Sequence, residues 1–439
     1  MQAPTQDQHR QARNGQLPDY VDYRPLSNES VPQRLSQYPA LVERLGGAPG
    51  NWSVREVGDG NLNFVYIVAG PAGSLCLKQA LPYVRLVGES WPLPLSRSYF
   101  EHAALVRQDK ANGSVPEIYQ YDAGQALLAM ENLGGHMIWR KALIARQRHE
   151  SAAATIAEFM AETLFRTSDL ALPAHEKKAE MALFSQNTAL CKITEDLVFT
   201  QPYHDHALNR WTTPELDETV AMVRADSQWK AAVQELKFQF LTRTEALVHG
   251  DLHTGSIMVG EAGGEEDVRV IDPEFAFYGP MAFDIGALFA NLFLNLFAQD
   301  GHGEGAGIYQ DWLFEQIDKC CARFAARFSA LWRTERTGDA YAREMFEDAG
   351  NTDGSEMALT RFLSELERDM LGFAGAKMTR RILGLAGVED LQSIKPPAVR
   401  AACERRALAL ARALIVERGE IQTMSGAIER AHRILRDMR

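Results

Sequence analysis

The spacing of apolar residues changes along the chain from a period of two to a helical period. Up to residue 131, apolar and polar residues alternate in short runs that end at glycine, proline or asparagine, which predicts strands. Beyond Glu131, apolar residues recur at helical spacing with few breakers. The chain is therefore predicted to be α+β, with a small antiparallel sheet ahead of a larger, mainly α-helical part.

In the first part, the third predicted strand alternates most clearly. Leu75 and Leu77 fall on one face of this strand, and Cys76 and Lys78 fall on the other. Ser96 is the candidate N-cap of a helix that follows. Strands are predicted at 52–70 (two strands around the polar turn 58–61), 74–79, 117–121 and 126–130, and helices at 32–46 and 96–108.

In the second part, a short β-rich island interrupts the helices. The island comprises residues 246–249, 256–259 and 268–271, and helices are predicted at 151–165, 213–241, 283–297, 312–332, 356–385 and 397–415. The predicted organisation is a disordered segment 1–18, a small lobe 19–131 and a helical lobe 132–439. A cleft between two such lobes is expected to hold the ligands, because domain junctions favour binding sites.

The composition narrows the possible functions. The 439 residues are 46% hydrophobic and carry a formal net charge of -12, which argues against a dedicated nucleic-acid binder. Five cysteines without metal-ligand spacing fit free thiols in a reducing, cytoplasmic setting. The N-terminus lacks the apolar core of a signal peptide.

The most apolar run, 282–298, contains Asp284, Asn291 and Asn295 and is short for a bilayer span. We therefore predict a buried helix here and no membrane partner. Asp284 either braces a neighbouring loop through backbone hydrogen bonds or caps this helix.

Three carboxylates lie at predicted loop ends rather than on solvated helix faces. Asp251 follows one short strand, and Asp272 and Glu274 follow another. Phosphoryl transfer needs one carboxylate to orient the attacking hydroxyl and others to hold the magnesium ion that bridges the ATP phosphates. We predict Asp251 as the base and the other two as metal ligands, against the alternative that these acids cap turns.

The motif around Asp251, His249-Gly250-Asp251-Leu252-His253-Thr254-Gly255, resembles the catalytic loop of aminoglycoside phosphotransferases, choline kinases and 5-methylthioribose kinases. The broader group has a metal-binding Asn where this chain has Ser256, and protein kinases have Asp-Phe-Gly where it has Asp-Pro-Glu. At both positions this chain resembles 5-methylthioribose kinases, whose DPEFAFYGP segment is present at 272–280. The spacing around the glycines argues against a helical zinc site built on His249 and His253.

This resemblance implies a protein-kinase-like two-lobe fold and ATP-dependent phosphorylation of the anomeric hydroxyl of S-methyl-5-thioribose, giving the 1-phosphate in methionine salvage. It also implies a homodimer. A related phosphotransferase for aminoglycosides or amino alcohols is an alternative, as is an inactive nucleotide-binding regulator. The second alternative is disfavoured because all three carboxylates are present.

The resemblance also assigns the nucleotide site. Asn61 or Asn63 in the turn of the first hairpin would contact ATP, although a plain hairpin is the ordinary interpretation of such a turn. Lys78 would meet the phosphates, with Glu101 of the following helix as its partner. The remaining nucleotide-site residues are predicted to be the hinge residues Glu131, Asn132 and Leu133, and the segment Asp272, Pro273 and Glu274.

The substrate residues implied by the resemblance are Asp251, the twin arginines Arg380 and Arg381, and Trp91. Arginine guanidinium groups suit sugar hydroxyls and a developing phosphate charge. Trp91 lies in a segment, 78–92, that resembles 5-methylthioribose kinases, and we predict a loop there. Its indole either covers the cleft or packs on the small lobe.

Overall fold

The structure, a computed structural model, describes residues 17–58, 62–85 and 88–438. The chain divides into two compact units. The first comprises Met1–His136, Ala182–Leu190 and Arg269–Ala276, and the second comprises Met137–Met181, Cys191–Val268 and Phe277–Arg439. The disorder predicted for 1–18 falls, up to residue 16, outside the described residues, and the predicted lobe boundary at 131/132 stays a prediction.

The first unit is built on a five-stranded antiparallel sheet in the order β1-β2-β3-β7-β6, with β4 and β5 forming a separate hairpin. Its strands are β1 (Ser53–Glu56), β2 (Asn63–Ala69), β3 (Ser74–Ala80), β4 (Tyr83–Val84), β5 (Gly88–Pro92), β6 (Ile118–Asp122) and β7 (Leu127–Glu131). Its helices are α1 (Val31–Leu35), α2 (Pro39–Leu45) and α3 (Arg97–Ala111).

One face of this sheet packs on the two leading helices. Leu75 and Leu77 of β3 are fully buried in a cluster with Leu35 of α1 and Leu45 of α2. Because side chains alternate along a strand, the same register places Lys78 on the opposite face. The predicted alternation in β3 thereby fixes where this lysine points.

Three local predictions for the first unit need correction. The leading helix is two helices, because Pro39 disfavours a helical conformation at Tyr38, which is extended. Trp91 lies in strand β5 of a short hairpin rather than in a loop, and its side chain is half-buried. Ser96 occupies the N-cap position of α3, but its side chain makes no capping hydrogen bond.

The second unit is mainly helical and carries short strands. The strands are β8 (Met137–Ile138), β9 (Ala246–Val248), β10 (Ile257–Ala262), β11 (Glu265–Val270) and β12 (Phe277–Gly279), ordered β11-β10-β8 and β12-β9. The helices, of which α6 and α7 also enter the first unit, are α4 (Trp139–Ile144), α5 (Ala152–Arg166), α6 (Ala174–Phe184), α7 (Thr188–Phe199), α8 (Asp217–Ala225), α9 (Ser227–Thr242), α10 (Met281–Ala298), α11 (Ala306–Thr334), α12 (Thr352–Leu383), α13 (Glu389–Gln392), α14 (Pro397–Val416), α15 (Arg418–Ile421) and α16 (Met424–Asp437).

Helix α10 forms the centre of the second unit. It is long and apolar enough to cross a membrane by length and composition, yet every one of its residues is buried inside the protein, as predicted. Its neighbour α12 approaches closely because Gly286 carries no side chain: a Cβ there would lie 2.5 Å from the carbonyl oxygen of Met370. Gly375 of α12 allows the same approach to Ala411 of α14.

The long helix predicted at 213–241 is also two helices. Asp226 ends α8, and its carboxylate accepts the backbone N–H of Trp229 at 2.9 Å, which makes it the N-cap of α9. Aspartate in a helical pattern marked this break. Six helices of this unit were not predicted: α4, α6, α7, α13, α15 and α16.

Candidate active site

In the first unit, the ammonium group of Lys78 lies among three carboxylates. Its Nζ is 2.8 Å from Oε1 of Glu101, which is the pairing predicted from the sequence, and it also forms a hydrogen bond with Asp272. Glu101 is buried on α3, whereas the Asp272 side chain is 45% exposed. Burial alone would lower the pKa of Lys78, but Asp272, Glu101 and Glu274 together raise it above its ordinary value.

The same environment favours the charged form of Lys78 but disfavours the charged forms of the acids. Burial raises the pKa of Glu101 to about 8, and Asp272 and Glu274 add to this rise while Lys78 opposes it. The pKa of Glu274 is also raised by burial and by Asp272. A further cation bound between these carboxylates would stabilise their ionised forms.

Glu274 is held in place by two buried residues. Asn63 donates from Nδ2 to both Glu274 oxygens, at 3.3 and 3.2 Å, and Arg97 donates from Nε to Oε2 at 3.2 Å. Arg97 also donates to the carbonyl oxygens of Leu62, Leu81 and Pro94 and to Oδ1 of Asn63. This guanidinium therefore joins the metal-binding candidate to the start of β2.

The backbone around Asp272 is strained and pinned. Asp272 has φ of 70° although it precedes a proline, a conformation that non-glycine residues rarely adopt. Asn187 donates from Nδ2 to the carbonyl oxygens of Glu274 and Ala276, at 2.9 and 3.0 Å. Pro273, which lies between Asp272 and Glu274 in the sequence, is buried. Strain of this kind clusters at functional sites.

The acids in this cluster suit a hard divalent cation. Oxygen atoms of Glu101, Asp272 and Glu274 all lie within 4.8 Å of one another. Magnesium prefers such oxygen ligands and takes one or two carboxylates together with phosphate oxygens. The two predicted ligands are therefore together, and Glu101 is a third candidate that the sequence pointed to only as the lysine's partner.

The remaining predicted nucleotide residues lie at the C-terminal end of β7 and just beyond it. Glu131 ends β7, and its backbone N–H donates to the carbonyl of Glu117 at 2.8 Å. Asn132 donates from Nδ2 to Oγ of Ser74 at 2.9 Å, and Leu133 is buried. Asn61 lies outside the described residues.

In the second unit, Asp284 anchors the loop that carries Asp251. Its carboxylate accepts the backbone N–H groups of His249 at 2.5 Å and of Gly250 at 3.0 Å. Pro280, not Asp284, occupies the N-cap position of α10. Of the two roles left open by the sequence, the structure therefore supports bracing of the loop.

Asp251 is surrounded by cationic and polar groups. Lys377 Nζ lies 2.9 Å from its Oδ1, Arg381 NH2 lies 3.9 Å from the same oxygen, and His253 Nε2 lies 3.3 Å from Oδ2. Burial raises the pKa of Asp251, but Lys377, His253 and Arg381 outweigh burial and hold it well below its usual range. Asp251 is thus ionised at neutral pH.

His253 supports the loop as a neutral imidazole. Burial lowers the pKa of His253 to about 3. Its Nδ1 accepts the backbone N–H of Gly255 at 3.0 Å, so the ring proton lies on Nε2 and points to Asp251. Ser256 donates from Oγ to the carbonyl of Asp251 at 3.0 Å, so this hydroxyl supports the loop.

The twin arginines flank one segment, as expected for adjacent helical residues. Arg380 and Arg381 both donate from NH1 to the carbonyl oxygen of Ala386, at 3.0 and 3.3 Å. Burial, Arg380 and Arg140 lower the pKa of Arg381, while Asp251 and Asp390 oppose this. Only Arg381 of the pair lies within 4 Å of Asp251 among the described contacts.

Three important residues were missed by the sequence reasoning: Arg97, Asn187 and Lys377. Each was hidden because its partner lies far along the chain. A signal did exist for Lys377, since it lies on the helix that carries the twin arginines, three residues before Arg380, and such residues share a helical face.

Fold and site together define a phosphotransferase. Residues 53–337 match the profile of the phosphotransferase enzyme family. Methylthioribose kinase of Escherichia coli O45:K1 is 44% identical over 414 residues, which are 93% of this chain and 97% of that protein. Methylthioribose kinase 1 of Oryza sativa subsp. japonica is 42% identical over 422 residues, 94% and 96% of the two chains.

The chain belongs to the methylthioribose kinase family, and the resemblance and the fold class predicted from its sequence are confirmed. Among solved structures, a Plasmodium vivax ethanolamine kinase aligns with 92% of this chain and all of its own, at 11% identity and a TM-score of 0.44.

Proposed function

We propose that this protein is an ATP-dependent kinase that phosphorylates S-methyl-5-thioribose at its anomeric hydroxyl, in methionine salvage. Support comes from relatives at 39–44% identity that carry the name methylthioribose kinase. The observation that carries the acceptor assignment is the charge around Asp251. Lys377 and Arg381 face its carboxylate, with Arg380 beside them.

This charge disfavours the alternative acceptors. Aminoglycosides are polycations and choline is a cation, so a pocket for either needs an excess of acids. A carboxylate with two cations, Lys377 and Arg381, within 4 Å instead suits a neutral sugar that becomes a phosphate dianion. Guanidinium groups match both hydroxyl groups and the new phosphate oxygens.

The reaction forms one bond and breaks one. The anomeric oxygen attacks the γ-phosphorus of ATP, and the bond from that phosphorus to the β,γ-bridging oxygen breaks, so that ADP leaves with the electron pair. Asp251 accepts the hydrogen bond of the attacking hydroxyl and takes its proton as the O–P bond forms. Because the transition state is loose, orientation by Asp251 contributes more than its basicity.

The nucleotide phosphates are assigned to the Lys78 cluster. Lys78 would donate to phosphate oxygens, with Glu101 keeping its ammonium in position. Asp272 and Glu274 would hold a magnesium ion, which neutralises charge on the phosphates when bound. Glu274 retains acceptor capacity for this task, since each carboxylate oxygen has two lone pairs and only part of them is used by Asn63 and Arg97.

The other roles are those that the family resemblance implies. The backbone at Glu131, Asn132 and Leu133 would read the adenine edge, with Pro273 and Asn63 or Asn61 near the phosphates. Trp91 would lie against the substrate. We further propose a cytoplasmic homodimer without nucleic-acid or membrane partners.

The test is an ADP-release assay across four acceptors: methylthioribose, ribose, choline and kanamycin. Methylthioribose should give the highest kcat/KM, and phosphorus NMR of the product should show a sugar 1-phosphate. Asp251→Ala should abolish turnover while ADP binding, measured by calorimetry, stays unchanged. Release of ADP with kanamycin or choline, but not with methylthioribose, would overturn the assignment.

A further inference from the structure

We propose that Lys377 is a positioning residue that serves as the counter-ion of Asp251 and fixes its carboxylate for the attacking hydroxyl. The inference rests on the proposed function only in that Asp251 receives the acceptor hydroxyl. Lys377 lies on α12, 126 residues from Asp251 in sequence, and its Nζ is 2.9 Å from Oδ1.

Lys377 is built into the core of the second unit. Only 6% of its side chain is exposed, and its Nζ lies 4.8 Å from the centre of the Phe283 ring, a favourable cation–π contact. Phe283 immediately precedes Asp284, the residue that braces the catalytic loop. Movement of the lysine would therefore take the nearest cation away from the half-buried carboxylate of Asp251.

The two oxygens of Asp251 are held differently. Oδ1 faces Lys377 and, at 3.9 Å, Arg381, whereas Oδ2 faces the neutral imidazole of His253. Lys377 is thus the nearest full positive charge among the described contacts of this carboxylate. A hydrogen bond from neutral His253 orients Asp251 but supplies less charge than Lys377 does.

Other charged groups face this cluster from the packed elements. Arg140 of α4 faces His253 and Arg381, and Arg380 lies beside Arg381 on α12. Asp284 of α10 faces His249 and Lys377. Asp390 of α13 forms an ion pair with Arg140 at 3.2 Å. We expect these groups to keep their positions when Lys377 is replaced.

Removal of Lys377 should therefore change the protonation of Asp251. Burial raises the pKa of this carboxyl, and Lys377 is the largest of the influences that lower it. Without the lysine, burial is opposed only by His253 and Arg381, so the pKa rises toward the range in which the enzyme works. Protonated Asp251 can no longer take the proton of the attacking hydroxyl, so activity falls in acid.

The experiment compares Lys377→Met, Lys377→Gln and Lys377→Arg with the wild type. The measured quantity is the ratio of variant to wild-type kcat/KM for the sugar at each pH, in which shared ionisations cancel. For Met and Gln we expect a loss of about 100-fold at pH 6 that shrinks to about tenfold at pH 8.5. Arg keeps the charge, so its smaller loss should not depend on pH.

The variants separate charge from packing. Gln retains a hydrogen-bond donor without charge, and it carries the same test if the Met variant does not fold. Lys395→Met is the control, because Lys395 is an exposed lysine of the same unit. Its ratio should stay near one at every pH.

A loss for Met and Gln that is equal at all pH values, or a loss of less than about threefold, would overturn the role of Lys377. The comparison uses whichever acceptor the wild-type enzyme phosphorylates. Failure of methylthioribose as a substrate is therefore seen with the wild type alone, whereas failure of this inference is seen only in the variant ratios.

Discussion

The carboxylate of Asp284 accepts the backbone N–H of His249 at 2.5 Å and joins the first turn of α10 to the loop before Asp251, 35 residues earlier. The other carboxylate oxygen accepts the N–H of Gly250, whose φ is 84°. A left-handed residue followed by Asp251 makes a sharp turn, and two charge-assisted hydrogen bonds hold that turn. The position of Asp251 thus depends on a residue outside the loop.

Asp284→Asn should lower both stability and turnover. An amide oxygen can replace one acceptor, but the amide nitrogen cannot accept the second N–H, so one buried donor is left unpaired. We expect a loss of about 1–3 kcal/mol in the free energy of unfolding, measured by urea denaturation. We also expect kcat to fall by about tenfold to 100-fold. Asp318→Asn, at an exposed position of α11, is the control, and equal effects of both variants would contradict the prediction.

Replacement of Lys78 should make the stability of the protein depend on magnesium. In Lys78→Met, the acids Glu101, Asp272 and Glu274 lose the ammonium between them. The free energy of unfolding should fall by about 3 kcal/mol without metal, because buried acids are left uncompensated. Magnesium can then replace the lost charge, so it should raise the melting temperature of the variant more than that of the wild type. An equal magnesium effect on both proteins would argue against this cluster as the metal site.

The sequence was informative wherever a local period or a short motif set the structure. Alternation in β3 places Lys78 on the face opposite Leu75 and Leu77, and helical spacing places Glu101 near the start of α3. The pairing of Lys78 with Glu101 was predicted from these placements together with the family resemblance. Similarly, the loop around Asp251 was visible as a motif between two short strands.

What the sequence could not show depends on how distant segments pack. Arg97 and Glu274 are 177 residues apart, and Lys377 and Asp251 are 126 apart. The second contact forms partly because Gly286 lets α12 come close to α10, and a glycine in a helix does not by itself reveal such an approach. Pairings of this kind follow from tertiary structure, on which no local pattern reports.

Arg97→Lys should weaken nucleotide binding even though it keeps the positive charge. Arg97 is fully buried and donates to three carbonyl oxygens as well as to Asn63 and Glu274. A lysine offers three donors on one atom and cannot reach all these acceptors. We expect a several-fold rise in KM for ATP and a loss of about 2–3 kcal/mol in stability.

The control for Arg97 is Arg55→Lys, an exposed position on β1 of the same unit. It should change neither quantity. Unchanged ATP binding in the Arg97 variant would show that the guanidinium does not organise the nucleotide site.

Glu404 predicts a pH dependence of stability that is unrelated to catalysis. Its Oε2 has no hydrogen-bond partner in the described part of the chain. Burial raises the pKa of Glu404 to about 7, with Glu215 adding to the rise while Thr212, Arg400 and Arg405 oppose it. Since the folded-state pKa is raised, this group's contribution to stability is full below about pH 4.5 and is lost as the pH rises toward 7.

Glu404→Gln should remove this dependence. Between pH 5 and 8, the free energy of unfolding of the wild type should fall relative to the variant by up to about 3 kcal/mol. Denaturant titrations at several pH values measure the difference. Parallel stability curves for the two proteins would mean that Glu404 is ionised over the whole range.

The twin arginines should contribute unequally and not independently. Arg381 lies 3.9 Å from Asp251, so Arg381→Met should lower kcat/KM for the sugar by about 100-fold, and Arg380→Met by about tenfold.

The two residues share the Ala386 carbonyl, and each lies in the repulsive field of the other. Removal of one therefore relieves the other, and the double variant should lose less than the product of the single losses. A double-mutant cycle should give a coupling energy of about 1 kcal/mol or more, while ADP binding stays constant in all four proteins. Strict additivity would mean that the two guanidiniums act on separate parts of the substrate.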